Sequence, residues 1–399
     1  MQKLAESAGV ILNGPNPWDI QVHDDRWYAR VFRDKSLGLG ESYMDGWWDC
    51  EQVDEMIFRV LCGRIDEELS VNMQDVMRLL PEVLFNLQSM ARARMIAEHH
   101  YDLGNDLFHS FLDPYNQYSC GYFEGTEALD QAQMNKLALI SEKLDLIDID
   151  RVLDIGCGWG GFARYAAERY GCTVTAVNIS QEQLRYAREF CAGLPVTFLD
   201  SDYRAIDGRF DKIVSVGMFE HVGQKNYRTF MEVAHRCLEK DGIFLLHTIG
   251  SNQSQKGIGD PWIAKYIFPN SSLPSTAQIA KAAEGLFVIE DLHNLGAHYD
   301  KTLMAWNDNF QKAWPQLKGR YGERFKRMWE YYLLSSAGAF RARNIQIWQV
   351  VMTKANTGTP QPRCRFSIAD EMQEHFSMGI PRQAPKALVP LAGQTMIRS

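Results

Sequence analysis

Beyond residue 150 the chain alternates between short apolar runs and stretches in which apolar residues recur every third or fourth position. Arg151–Gly156, Thr173–Val177, Pro195–Leu199, Phe210–Val216 and Gly242–Thr248 are the runs. Their length, β-branched content and flanking Gly, Asn, Asp or Pro predict strands. Gly160–Tyr170, Gln181–Phe190 and Lys225–Leu238 carry helical spacing between them. Such alternation predicts a mostly parallel sheet covered by helices on both faces. Leu286–Leu292 reads as a further strand, residues 301–341 as two amphipathic helices, and Ile345–Thr353 as a long β-branched strand that closes the sheet. The expected body is therefore α/β and Rossmann-like, with seven strands. Upstream, residues 53–66 and 72–90 have apolar residues at helical spacing, and Leu37–Trp48 is turn-rich and aromatic. A small α-helical domain is expected over 1–90, followed by Arg92, Arg94 and the His99–His100 pair at the junction. The main domain then spans 91–355. Residues 250–285 form an insertion rich in Ser, Pro and Gln, read as a lid, and Pro, Gln and small residues accumulate in a flexible tail, 356–399.

Composition narrows the partners. With 42 Lys+Arg against 50 Asp+Glu the net charge is -8, which argues against nucleic acid. A membrane surface stays open, because local basic patches act against a global negative charge. No run of about 18 apolar residues predicts a transmembrane helix, and the N-terminus lacks a signal-peptide pattern. The eight cysteines form no CxxC pair, so no metal is expected and a reducing cytoplasm is.

The chemistry begins at Val152–Gly161, where Gly156, Gly158 and Gly161 match G-x-G-x-x-G between a strand and a helix. Glycines there let the backbone approach a nucleotide-shaped ligand. A dinucleotide fold shares this loop, but two features tilt the choice. Asp154 puts a carboxylate inside the strand end, which suits the cationic amino-acid end of S-adenosylmethionine. The next strand ends in Asn178 rather than in the acid that would hold an NAD ribose. Ile179, Gln183, Asp202 and Tyr203 complete the expected donor site, with Cys157 a small filler. The fold so identified is a class I S-adenosylmethionine methyltransferase.

The sequence also resembles the mycolic-acid cyclopropane synthase family over roughly residues 5–353. Leu37–Trp48, His100–Phe108, Gln117–Cys120, Val152–Gly161, Val214–Gly223, Leu246–Gly250, Asp260–Trp262, Tyr266–Asn270 and Thr302–Trp306 carry the likeness. The resemblance implies methylene transfer from S-adenosylmethionine, released as S-adenosylhomocysteine, to the cis double bond of an acyl chain in a membrane phospholipid. It implies a carbocation that loses a proton to a bound bicarbonate and closes to a cyclopropane. By the same likeness Cys120, Glu220, His247, Ile249 (through its backbone) and Tyr299 would hold the bicarbonate, and Tyr118 and Ser119 would cap the donor. Glu220 beside an anion is awkward unless a proton is shared. A cysteine found in some members is replaced here by Ser336. Since the acceptor lies in a bilayer, peripheral attachment to its inner face is expected, with the 1–90 domain docking, a homodimer possible, and Trp47, Trp48, Trp262, Arg341 and Arg343 as exposed contacts.

Overall fold

The computed structural model describes residues 2–64, 104–254, 259–358 and 361–362. The helical spacing over 72–90, Arg92, Arg94, His99, His100 and nearly all of the 356–399 tail lie outside these residues.

In chain order the helices are α1 Gln2–Ser7, α2 Arg26–Met44, α3 Val53–Cys62, α4 Asn105–Phe111, α5 Leu129–Lys143, α6 Gly161–Tyr170, α7 Gln181–Phe190, α8 Tyr227–Cys237, α9 Pro261–Tyr266, α10 Thr276–Ala283, α11 Gly296–Leu317 and α12 Glu323–Arg341. The strands are β1 Gln21–Val22, β2 Trp48–Asp49, β3 Arg151–Ile155, β4 Thr173–Asn178, β5 Val196–Asp200, β6 Phe210–Val216, β7 Leu238–Ser251, β8 Phe287–Asn294 and β9 Ile345–Lys354. β1 and β2 form a small antiparallel pair. The other seven make one sheet in the order β5-β4-β3-β6-β7-β9-β8. β3 to β7 run parallel, and β9 is antiparallel to both β7 and β8.

The expected seven-stranded, mostly parallel sheet is present, with one change of order. Ile345–Thr353 does not close the sheet at its edge; β9 lies between β7 and β8. Its unbroken apolar run follows from that position, since an interior strand has both faces covered. β8 is the edge, and Val288, Ile289 and Leu292 on it are exposed.

Side chains alternate across the sheet. Leu153, Ile155, Phe244, Leu246 and Val350 face the helices α8 and α10. Val152, Ile243, Leu245 and Val351 face α5 and α6. By the same alternation Asp154, His247 and Gln349 project toward the α5 side.

A third core joins Trp27, Trp48, Val53 and Met56 from the N-terminal elements to residues of α4, α11 and α12. Here the sequence patterns misled. Leu37–Trp48 is not a turn-rich joint: it is helical as far as Met44, after a break at Lys35, whose φ is 51°. Its glycines serve close packing. A Cβ on Gly38 would sit 2.5 Å from the Arg30 carbonyl oxygen, and one on Gly40 would sit 2.4 Å from the Trp262 ring. Trp48 and Trp262 are 0% and 1% exposed, so neither is a surface contact. Trp47 is half-buried between the guanidinium groups of Arg26 and Arg30. Arg341 is bound by Asp54, Glu55 and Asp300, while Arg343 is exposed. The 250–285 insertion holds α9 and α10, the latter started by a capping box of Ser275 and Gln278. Ser275 and Gln278 thus start a helix.

Candidate active site

The loops after β3, β4, β5 and β6 gather at the carboxyl edge of the parallel strands, where open α/β sheets bind ligands. Gly156 has a φ of 85°, and a Cβ there would meet Met218 at 2.7 Å. Gly158, with a φ of 54°, faces open space. The Asn178 amide donates to the Gly158 carbonyl at 3.2 Å and to Gln183 Oε1 at 2.9 Å, while its Oδ1 accepts from the Ile179 N–H at 2.8 Å. These bonds hold the second loop against the first. Asp154 is buried, its Oδ2 has no hydrogen-bond partner, and burial pushes its carboxyl up to about 7. Buried unpaired polar atoms are uncommon and call for a ligand or another explanation. Asp202 binds the guanidinium of Arg204 at 2.7 Å. Tyr203 packs on Phe230 with its buried hydroxyl unpartnered. Cys157 is buried, and burial pushes its thiol well up, as expected of a filler.

A second set of polar groups lies at the neighbouring strand ends. Glu220 sits on a short turn, Phe219–His221, just past β6. Its Oε1 accepts from the Ile249 N–H at 2.6 Å, and its Oε2 is buried with no partner. Burial pushes the Glu220 carboxyl up to about 7, against the pull of that N–H. His247, two residues before Ile249 on β7, is fully buried with Nε2 unpartnered. Burial, and then the charges of Lys136 and Lys143, hold its ring well below its ordinary pKa, so it is neutral. Ile249 pairs with Ile347 on β9, whose carbonyl accepts from Leu295 N–H at 2.9 Å. Cys120 Sγ lies 3.8 Å from the Leu295 carbonyl and 4.0 Å from Thr302 Oγ1 on α11. Burial pushes its thiol up to about 12. Tyr299, in the first turn of α11, is buried against Phe340 at 4.5 Å between ring centroids. Burial, then the nearby Tyr332, Cys120 and Glu220, raise its hydroxyl far above its usual value. Glu220 is thus bonded to Ile249, Cys120 and Glu220 lie near Tyr299, and His247 stands two residues from Ile249 on the same strand. The Ile249 N–H is engaged by Glu220, and its carbonyl accepts from Thr248 Oγ1 at 3.1 Å.

Tyr118, Ser119 and Cys120 cross between the two sets. The Tyr118 hydroxyl meets that of Tyr332 at 3.0 Å, and its ring packs on Trp306 and Phe108 at 5.3 and 5.2 Å. Phe268 and Tyr299 extend this aromatic wall.

Sequence reasoning missed Lys136. Its fully buried ammonium donates to Gln117 Oε1 at 2.6 Å and Ser119 Oγ at 2.9 Å, clasping the segment on either side of Tyr118. Asp113, also buried, accepts from the Tyr115 and Gln117 N–H groups at 2.8 Å each. Burial lowers the Lys136 ammonium to about 8, and the charge of Asp113 opposes that fall. A signal was available. Leu129, Ala132, Lys136, Ile140 and Lys143 fall on one helical stripe of α5, and lysine on an apolar stripe is rarely buried without a role. Among the described residues, no group of three or more His, Cys, Asp or Glu is placed to hold a metal ion.

The comparisons with known proteins agree with this architecture. The family model for mycolic acid cyclopropane synthetase matches residues 88–350. The chain is 53% identical over 352 residues to the cyclopropane-fatty-acyl-phospholipid synthase of Escherichia coli (strain K12), covering 88% of this chain and 92% of that protein. It is 36% identical over 355 residues to a probable fatty acid methyltransferase of Pseudomonas putida, covering 86% and 88%. Among solved structures, a mycolic acid cyclopropane synthase complexed with SAH and CTAB superposes with a TM-score of 0.60 at 32% identity, covering 65% of this chain and 97% of that one. A cyclopropane synthase from Mycobacterium tuberculosis gives a TM-score of 0.61 at 29% identity, with the same coverage. With the sheet order, the glycine loop and the family match in agreement, this chain belongs to the mycolic acid cyclopropane synthetase family of S-adenosylmethionine-dependent methyltransferases.

Proposed function

We propose that the protein transfers a methylene unit from S-adenosylmethionine to the cis double bond of an unsaturated acyl chain in a membrane phospholipid, closing a cyclopropane ring, with bicarbonate as the proton acceptor. The observation that carries this is the pair of buried, unpartnered atoms Glu220 Oε2 and His247 Nε2, with Met218, two residues before Glu220, against Gly156, and Phe268 against the neighbouring His221 ring. When bound, S-adenosylmethionine supplies the electrophilic methyl group and bicarbonate the base. The likeness to the E. coli cyclopropane-fatty-acyl-phospholipid synthase and to the synthase complexed with SAH and CTAB supports the substrate and the donor.

The chain's own residues fit both groups. Gly156 and Gly158 leave room for the donor, Asn178 and Gln183 hold the adjoining loop, and Asp154 lies beneath with one free oxygen. At the second set, the raised carboxyl of Glu220 lets it carry a proton near neutrality, so that it donates to an anion instead of repelling it. Cys120, His247 and Tyr299 are uncharged there for the same reason, burial. An alkene needs no activating base, so these residues position and shield. Ring faces such as Tyr118 and Trp306 stabilise a developing carbocation and exclude the water that would trap it.

No helix among the described residues is long and apolar enough to cross a membrane, and the proposed attachment is peripheral, at the inner face, with residues 1–90 docking and a homodimer as the assembly. Of the aromatic and basic contacts expected, Trp47 and Arg343 remain candidates, since Trp48, Trp262 and Arg341 are committed inside.

The test is incubation with S-adenosylmethionine and vesicles of unsaturated phospholipid, with and without bicarbonate. NMR of the extracted lipid distinguishes the ring from a methylene-bearing chain of equal mass. Cyclopropane should form, depend on bicarbonate and vanish with Glu220→Ala. Undiminished product from that variant would sink the assignment.

A further inference from the structure

His247 and Gln349 stand opposite each other in the antiparallel β7–β9 pair, so their side chains share one face of the sheet. Both are 0% exposed. Gln349 Nε2 lies 3.3 Å from His247 Nδ1, while His247 Nε2 and Gln349 Oε1 have no partner. The amide has two possible orientations about this contact, and they are not equivalent. With the carbonyl toward Nδ1, the ring would carry its proton on Nδ1, and both amide N–H groups would be buried unmade. With one N–H toward Nδ1, the other N–H and the carbonyl oxygen are left over, so one buried donor fewer goes unmade. A buried carbonyl without a partner is the lesser and commoner fault. In that orientation Nδ1 must be the acceptor.

We propose that Gln349 is a positioning residue for the transfer reaction: by donating to Nδ1 of His247 it fixes the ring proton on Nε2, so that His247 offers the anion a donor and not a lone pair. This rests on the anion-binding role given to His247 above. The logic is that of histidines whose second nitrogen sets the tautomer of the first. The other charged groups that act on the ring, Lys136 and Lys143, are cations, which also favour its neutral form. With the opposite tautomer, Nε2 would present a lone pair to a negatively charged oxygen, and the site would repel what it has to hold.

The experiment uses the full-length protein labelled with 15N-histidine and saturated with S-adenosylhomocysteine. Long-range 1H–15N correlation reads the protonation of each ring nitrogen, and His247→Gln assigns the signal. The wild type should show Nε2 protonated and Nδ1 bare. In Gln349→Met, which keeps the length of the side chain and removes the donor, the second tautomer should appear. The bicarbonate concentration for half-maximal cyclopropane formation should rise about ten-fold, the worth of one hydrogen bond, with S-adenosylhomocysteine affinity unchanged by calorimetry. A merely structural role for Gln349 would not move the ring's tautomer. An Nδ1-protonated wild type overturns the proposal without any variant having to fold, as does a folded Gln349→Met with a wild-type signal. If the wild type shows the Nε2 proton but bicarbonate leaves that signal unmoved, the tautomer stands and the anion-binding role fails.

Discussion

Asp154 and Glu220 begin to ionise in the unfolded chain near 3.8 and 4.5, yet in the folded protein burial holds their protons to about 7. The folded state therefore binds more protons than the unfolded state between those limits. Stability is full below about pH 4 and falls as pH rises toward 7. Asp154→Asn and Glu220→Gln cannot ionise, so each should remove on the order of 3 kcal/mol of the stability lost between pH 5 and pH 8. Urea midpoints of the three proteins at both pH values measure this, and a variant with the wild-type pH slope would contradict it. Lys136 calls for the opposite treatment. Lys136→Met leaves Gln117 Oε1 and Ser119 Oγ without their buried donor, and each buried group left unsatisfied costs about 1–3 kcal/mol. A loss under about 1 kcal/mol by the same denaturation would mean that these hydrogen bonds do not hold the segment. At this scale the sequence was partly legible. Asp154, Cys120, Glu220 and His247 stand in recognisable segments and Tyr299 three residues before one, but Lys136 and Gln349 do not. Each is a polar residue in an otherwise buried stripe, and its role depends on a partner that only the fold supplies.

Among the elements, local periodicity located β3, β4, β5 and β6 to within a residue, because each is bounded by glycine or a polar turn, whereas β7 extends four residues before and three beyond the expected Gly242–Thr248. It failed where glycine acts in packing. Gly38 and Gly40 suggested a turn-rich joint, yet they lie inside α2 because other groups approach too closely for a Cβ. Gly338 does the same on α12: a Cβ there would lie 2.4 Å from the Asp54 carbonyl oxygen on α3. Gly338→Ala should therefore force α3 and α12 apart at a cost of about 1–3 kcal/mol. Gly319 has nothing within 4 Å of the same construction, and Gly319→Ala should be neutral to within about 0.5 kcal/mol. Thermal melts of the two variants make the comparison. Equal melting temperatures would show that the helix contact yields without strain. The position of β9 was equally hidden. A run of buried residues says that both faces are covered, and nothing in it says which strands lie on either side.

For the molecule as a whole, the question is whether the N-terminal helices form a separable docking unit. Their partners lie more than two hundred residues away in sequence, which is why helical spacing alone suggested a small domain of its own. In the fold, Trp27, Trp48, Val53 and Met56 share a core with Trp306, Trp329 and Tyr331 of α11 and α12. Arg341 at the end of α12 closes the seam by binding Asp54 and Glu55 on α3 and Asp300 on α11. Burying each large apolar side chain is worth about 1.5–3 kcal/mol, so uncovering several at once consumes the roughly 5–15 kcal/mol that holds an ordinary domain together. The same core carries Tyr118 and Tyr299, so its loss reaches the donor cap and the anion site. A chain beginning at residue 65 should then bind a hydrophobic dye, melt without cooperativity and fail to bind S-adenosylhomocysteine by calorimetry. A truncated chain that melts cooperatively and keeps wild-type affinity would show instead that α2 and α3 only rest on a self-sufficient catalytic body.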